Sequence, residues 1–380
     1  MTGTEAAPGT RIAVVGIPAN RRVTLFREAA RAAGLPEVRV VPWSDVLDGR
    51  ARFRPGERVR IESPGEDPGV DRVLRGVDDP RRVEGSARWY RGFVRALEQL
   101  ASAAAGAGAV LLDDPRELAL LFDKRLCHGV LREAGVAVPE SPTSGPGAPP
   151  VGGWEEVRSL AEAAGIRRMF VKLAHGSSAS GVLAVETASR GRVQAVTSVE
   201  RDGLGRLFNS LRVRRYTGES AVATLVDALA PDGLHIERWL PKAAQQGRSA
   251  DLRVVVIAGR ATHAVVRTSH SPMTNLHLGG ARGDLAAARA ATEAAGGDWS
   301  GALRLCERAA ERFPGASRVG VDLLPARGWR RFAVGEVNAF GDLLPGLTGM
   351  PGTGAEGQDT YAAQLAALAT AGTGVRTGAG

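Results

Sequence analysis

Two stretches of this chain carry side chains whose types and spacing suit chemistry. In the first, residues 168–174, RMFVKLA, form an apolar run that delivers Lys172 to the loop His175-Gly176-Ser177-Ser178-Ala179-Ser180-Gly181, and residues 182–186, VLAVE, follow at once. This pattern predicts a β-hairpin with a tip of small residues. Small residues let successive backbone N–H groups turn toward an anion, and a lysine on the preceding strand adds a point charge. The arrangement suits a phosphate tail. In the second stretch, VGVDLL places Asp322 on one strand, and FAVGEVNAFGD places Glu336 and Asn338 two residues apart, hence on one face of the next strand. Three oxygen ligands of this kind suit Mg²⁺, which keeps waters and takes phosphate oxygens as its remaining ligands. A carboxylate within an apolar run is also costly to bury without a cation.

Between these stretches, Ile236-Glu237-Arg238-Trp239-Leu240 reads as a strand whose exposed end offers backbone groups to a purine edge. Asp251-Leu252-Arg253 and Arg267 fall on successive strands, and Asn275-Leu276-His277-Leu278-Gly279-Gly280 follows in a loop. Arginine forks favour phosphate or carboxylate. Lysine is scarce: Lys124, Lys172 and Lys242 are three of 49 basic residues, and asparagine occurs only at 20, 209, 275 and 338. A lysine that persists in so arginine-rich a chain marks a place where a compact ammonium is needed. Two familiar nucleotide motifs are missing. The turn Gly16-Ile17-Pro18-Ala19-Asn20 lacks the three glycines of a dinucleotide fingerprint, and no G-x-x-x-x-G-K-[ST] occurs.

The elements that must position these residues follow from periodicity. Residues 11–17 read as a buried strand, 23–33 as a helix ended by Gly34, 37–43 and 58–63 as further strands, 87–105 as a helix and 109–114 as a strand. Strands alternating with helices imply a parallel sheet. Pro115 opens a helix running to about residue 134, and 139–153 is a Pro/Gly-rich connection. From residue 168 onward the texture is β-rich, with helices expected near 220–230, 301–313 and 359–371.

The chain has 380 residues, enough for two or three domains with their own cores. Its net charge is +8, and only Cys127 and Cys306 are present, so neither a disulfide framework nor a cysteine-rich zinc site is available. The reading is a cytoplasmic protein, with no membrane-spanning segment expected. The basic stretch 206–215 has no aromatic-rich RNA motif beside it, which argues against nucleic acid as partner and for a solvated or anion-facing surface.

In order and spacing, the segments DKRLCHGVLREAGVAVPESP, FVKLAHGSSASGV, IERWL, DLRVVVIAG, VVRTS, NLHLGG, GVDLL and EVNAFGD resemble the ATP-grasp superfamily of carboxylate-amine ligases, most closely the branch of the glutamate ligases that modify ribosomal protein S6. The resemblance implies an α/β and α+β architecture, an ATP-grasp fold with an N-terminal pre-grasp βα domain over residues 1–114. A central subdomain at 115–235 and a C-terminal subdomain at 236–380 would hold ATP between them. It also implies roles by position. Lys124 and Lys172 would bind ATP phosphates, with His175, Gly176, Ser177, Ser178, Ser180 and Gly181 closing over them, and Glu237, Arg238, Trp239 and Leu240 would surround adenine. Arg253, Arg267 and Asn275 would hold the phosphate or acyl phosphate, and Asp322, Glu336 and Asn338 would hold Mg²⁺, with Mn²⁺ as an alternative ion.

The implied reaction is phosphorylation of a carboxylate by ATP, attack by an amine on the acyl phosphate, and release of ADP and phosphate. The substrates are a small-molecule or peptide carboxylate and an amine, and a homo-oligomer stays open. Two departures stand out. Relatives carry an acid for the ribose shortly after the adenine strand, where this chain has Pro241-Lys242-Ala243-Ala244-Gln245, and EVNAFGD brings Asp342 to the substrate side. Lys242, outside the motif positions, is expected to tolerate arginine. Two alternatives stay in play, a phosphotransferase acting on a hydroxyl and a module that binds ATP without turnover.

Overall fold

The computed structural model describes residues 10–176, 179–189 and 191–373. Ile12–Gly16 (β1) is buried along its whole length, as an apolar run must be when both faces of a parallel sheet are covered. Arg21–Ala32 (α1), Arg39–Pro42 (β2), Trp43–Leu47 (α2), Arg58–Ile61 (β3), Pro68–Arg75 (α3), Ser86–Gly106 (α4) and Val110–Leu111 (β4) follow. The strands form a parallel sheet in the order β2-β1-β3-β4. Alternation along β1 sends Ala13 and Val15 toward Phe93 and Leu97 of α4, and Ile12 and Val14 toward Phe26 of α1 and the C-terminal helix Thr360–Thr373, which packs on α1.

Next come Pro115–Leu121 (α5) and Lys124–Glu133 (α6), where periodicity alone predicts one continuous helix. The break falls at Asp123, whose carboxylate caps α6 by accepting from the Arg125 and Leu126 N–H groups at 2.9 and 3.2 Å. Capping a new helix there places Lys124 at its first position. Trp154–Ala163 (α7), which the sequence reading passes over, leads to Arg168–Leu173 (β5), Leu183–Ala188 (β6), Arg192–Arg201 (β7), Leu207–Thr217 (β8), Glu219–Leu229 (α8) and Leu234–Arg238 (β9). These five strands make an antiparallel sheet ordered β8-β7-β6-β5-β9. Both α7 and α8 cover one face, on Met169, Val171 and Leu173. Strand β9 lies in this sheet, so it runs across the expected boundary at 235/236.

The third sheet holds Ala244–Gln245 (β10), Arg248–Ile257 (β11), Arg260–Ser269 (β12), Ala281–Arg282 (β13), Arg318–Pro325 (β14) and Phe332–Ala339 (β15), with Leu285–Ala294 (α9) and Trp299–Ala310 (α10) between β13 and β14. Its path is β13-β12-β11-β14-β15, with β10 on β11. Leu252, Val254 and Val256 pack on Leu305, Cys306 and Ala309 of α10, so the residues that alternate with them, Asp251 and Arg253, point to the opposite face. Thr360–Thr373 (α11) closes the described chain. Among the described residues no helix is long and apolar enough to cross a membrane.

Candidate active site

The hairpin read from the sequence is present: β5 pairs with β6 through Val171↔Leu183, and Lys172 lies two residues before the loop that joins them. The other edge of β5 pairs with β9, matching Lys172 to His235 and Phe170 to Glu237. These four residues share the face away from α7 and α8. Lys172 forms an ion pair with Glu237, whose second carboxylate oxygen lies 3.6 Å from His235 Nε2. Lys124 reaches Glu336 on β15 in a second ion pair. The two pairs meet at a cavity of about 20 Å³ lined by Lys124, Lys172, Glu237, Glu336, His128 and His235. That is room for one water.

Electrostatics there is set by competition between burial and opposite charge. Burial works to raise Glu237, but Lys172 and His235 outweigh it and hold the carboxyl down at about 2. Glu336 is likewise lowered, against burial, by Lys124, Lys172 and Arg253. Burial works against the charge on Lys172, yet Glu237 and Glu336 raise it. Burial pushes His128 down to about 4, aided by His235, while its Nε2 bonds the Pro139 carbonyl at 2.7 Å and its Nδ1 the Ser144 hydroxyl at 2.8 Å. Cys127 is pushed up to about 12 by burial and Glu336, an inert thiol.

Beside this cavity the third sheet gathers a row of polar residues through its register. Asp251 is opposite Arg267, Arg253 opposite Asp322, Asp322 opposite Glu336, and Gly320 opposite Asn338. Arg253 is shared between two carboxylates, Nε to Asp322 at 2.5 Å and Nη1 to Asp342 at 2.9 Å. Arg267 bridges Asp251 at 2.9 Å and Asp322 at 3.1 Å. Burial opposes both guanidinium charges, and the facing aspartates overcome it and raise them. The Asn338 amide N–H₂ donates to the Gly320 carbonyl at 3.1 Å, which leaves its Oδ1 to act as a ligand.

Other residues named from the sequence are placed as follows. His175 stacks on Tyr90 at 3.9 Å between ring centroids, with Nε2 3.8 Å from Asp123, so its ring is tied to the first sheet's helix α4 and to the α5–α6 joint. Ser180 Oγ accepts from Asn209 at 2.6 Å. Gly176 and Gly181 are crowded by Leu173, which leaves no room for a side chain. Ser177 and Ser178 lie outside the described residues. Arg238 points away from the cavity to Glu140 at 2.6 Å, its guanidinium on the opposite face from Glu237. Trp239 is covered by Arg168 at 4.0 Å and by Phe170, and Leu240 is half-buried. Asn275 heads the turn 276–278, half-buried. The basic stretch 206–215 leads into β8, and two of its four arginines are ion-paired, Arg206 with Asp202 and Arg214 with Glu200.

Lys242, expected from the sequence to tolerate arginine, has a side chain only 8% exposed, and its ammonium donates to Asp251 at 3.0 Å and to Thr274 at 3.1 Å. Asp251, named above only beside Arg253, pairs with Lys242 and Arg267, and His128 and His235, not singled out in the sequence, line the cavity. The scarcity of lysine was the available signal, since all three lysines sit here, each on a carboxylate.

No family model matches the chain, and no curated protein does. Solved structures do match. ATP-grasp ligase PsnB, complexed with a minimal precursor, is 19% identical with a TM-score of 0.53, over 95% of this chain and 99% of that one. D-cycloserine synthetase DcsG is 16% identical with a TM-score of 0.56, over 95% and 99%. The ADP complex of an N5-carboxyaminoimidazole ribonucleotide synthetase is 12% identical with a TM-score of 0.51, over 87% and 70%. The chain has the ATP-grasp fold.

The donors named for a metal form an all-oxygen set of the kind Mg²⁺ takes, Asp322 and Glu336 facing each other across a strand pair with Asn338 two residues on, while Arg253 and Lys124 occupy the two carboxylates in this structure.

Proposed function

We propose that this protein is an ATP- and Mg²⁺-dependent ligase that joins a carboxylate to an amine through an acyl phosphate, releasing ADP and phosphate. The observation that carries the reading is the meeting of Lys124–Glu336 and Lys172–Glu237 at one cavity, flanked by Arg253, Arg267 and Asp322. Lysines at such a place serve phosphates, and arginine forks serve an acyl phosphate or its carboxylate precursor. PsnB, which shares the fold, has been solved with Mg and ADP, and also with precursor peptides. A peptide or a small molecule is the substrate class that follows for this chain.

In the first step a substrate carboxylate oxygen bonds to the γ-phosphorus of ATP as the bond to the ADP oxygen breaks. In the second the amine nitrogen bonds to the carbonyl carbon, phosphate leaves with the bridging oxygen, and the nitrogen loses a proton. Lys124 and Lys172 hold the phosphates, and the 175–181 loop keeps water from the acyl phosphate. Arg253, Arg267 and Asn275 steady the transferred group. Asp322, Glu336 and Asn338 would hold Mg²⁺, which when bound offsets charge on phosphate oxygens.

Hydroxylamine provides the test. Incubated with Mg·ATP, a panel of free amino acids and short peptides, and hydroxylamine, the protein is expected to form a hydroxamate and ADP with the correct carboxylate. AMP and pyrophosphate would point to an adenylate instead, a stable phosphorylated alcohol to a kinase, and ATP binding with no product from any carboxylate to a binding module.

A further inference from the structure

The first sheet is covered unevenly on one face, and a cavity opens where the cover ends. Val14 on β1 and Arg60 on β3 are register partners, so Arg60 lies on the face that α1 and α11 cover. Its guanidinium sits 4.2 Å from the Phe26 ring and 5.5 Å from the Tyr361 ring. On the same face β4 is bare: Val110, the register partner of Arg58, is 57% exposed. Between β4, α11 and the turn after β11 lies a cavity of about 930 Å³, whose lining includes Arg60, Leu112, Ile257, Gln364 and Leu368. It is distinct from the cavity of Lys124 and Lys172, since Ile257 stands about 13 Å along β11 from Arg253 at the rise of a strand.

Two polar side chains of this lining are buried and incompletely bonded. Arg60 is 2% exposed and donates through Nε and Nη2 to Glu62 at 2.8 and 2.5 Å, while its Nη1 has no acceptor among the described residues. Gln364 is 4% exposed, and its Oε1 has no hydrogen-bond partner among the described residues. It follows Tyr361 by one helical turn, so it shares the face of α11 that presents the ring to Arg60. A buried donor and a buried acceptor left unmet both cost stability. Net charge does not call for an anion: Arg60 pairs with Glu62, Arg318 holds Asp113, and Glu98 and Asp114 stand against Arg116 in the remaining lining. A zwitterion meets both needs, its carboxylate accepting from Arg60 Nη1 and its ammonium donating to Gln364 Oε1, with Leu112, Ile257 and Leu368 left for an apolar side chain. We propose that this cavity binds a free α-amino acid with a large apolar side chain. The inference does not rest on the ligase reading, because none of the residues it uses belongs to the site described above.

Calorimetry tests this by titrating L-phenylalanine, L-leucine and L-tryptophan into the full chain in the presence of Mg·ADP, each beside its analogue lacking the ammonium and its analogue lacking the carboxylate. At least one amino acid is expected to bind, with both of its analogues about tenfold weaker, the loss of one charge-assisted hydrogen bond. Gln364→Leu keeps the size of the side chain and removes the amide. It is expected to weaken the amino acid about tenfold, to leave the analogue without the ammonium unchanged, and to hold or raise Tm, since the amide oxygen has no partner in the fold. Ala101→Trp, on α4 at the cavity wall, fills the space and should abolish binding. Neither residue lines the cavity of Lys124 and Lys172, so a loss in these variants locates the site away from it. A wild type that binds none of the three amino acids overturns the proposal, as does binding that both variants leave as tight as in the wild type. A wild type that binds no Mg·ADP counts against the ligase reading alone.

Discussion

Lys124 on α6 and Glu336 on β15, 212 residues apart in sequence, form an ion pair that spans the central and C-terminal parts of the chain. The Lys124 N–H donates to the Ala174 carbonyl at 2.9 Å, so one residue ties α6 to the carboxylate through its side chain and to the loop after Lys172 through its backbone. Its position at the start of a capped helix follows from Asp123, which ends α5 and begins α6. Glu336 is the better probe of function, because Gln keeps its shape and a hydrogen bond while removing the charge a metal needs. Glu336→Gln is expected to lower ADP release about 100-fold or more while the protein remains folded, with a cooperative thermal transition. Turnover by the wild type in chelated, metal-free buffer would sink the metal assignment.

Lys172 and Glu237 carry a different expectation. Their side chains are 14% and 5% exposed, so removing one charge leaves the other buried without its partner. Lys172→Ala is expected to cost about 3 kcal/mol of stability, and the double variant Lys172→Met, Glu237→Gln to recover most of it. Denaturant unfolding of both variants measures this, and equal losses would show that the pair is not coupled. Lys172→Arg, which keeps the charge, is expected to remain folded and lose most activity.

The sequence makes some of this legible and hides the rest, for identifiable reasons. Lys172 with its loop and the Asp322, Glu336, Asn338 set stand on strands, where a period of two fixes which side chains share a face. Neighbours in register were not legible: that Asp251 faces Arg267, or Phe170 faces Glu237, depends on which strands pair and with what offset. The surroundings of Lys242 were hidden for the same reason. It sits in a connection with no periodicity, and its partners Asp251 and Thr274 come from segments that only the sheet brings together. Strand β8, with its exposed alternating arginines and a register shift between Thr197 and Val199, shows too little apolar pattern to be found. The split of α5 from α6 was recorded in Asp123-Lys124, since an aspartate mid-pattern is also a helix cap.

A pH dependence follows from His128. Burial lowers it from 6.5 to about 4, and His235, 5.3 Å away between ring centroids, adds to the shift, while Glu237 opposes it and Lys172 supports it. Between those two values the unfolded chain binds the proton and the folded chain does not, so stability is full above pH 6.5 and falls as pH drops toward 4. The drop amounts to about 3 kcal/mol for this group. His128→Gln should flatten that part of the stability curve, read as Tm between pH 7 and 4.5, and an unchanged slope would remove His128 from the account.

The loop that presents Asn275 makes a prediction about two adjacent glycines. Gly279 has φ +79, a left-handed conformation, yet a Cβ built there meets nothing within 4 Å. Gly280 has no such backbone demand, but a Cβ there would lie 2.7 Å from the carbonyl oxygens of both Thr274 and Asn275. The usual expectation ranks the positive-φ glycine as the sensitive one, at about 1 kcal/mol for alanine. For function the order should reverse. Backbone oxygens cannot rotate away as a side chain can, so alanine at 280 must push residues 274–275 off position, and with them the Thr274 hydroxyl that bonds Asp251. Gly279→Ala is expected to lower Tm slightly and keep hydroxamate formation near wild type, whereas Gly280→Ala should cut that formation about tenfold or more at saturating ATP. If the two variants lose activity equally, the loop tolerates displacement, and Asn275 has no role that depends on its place.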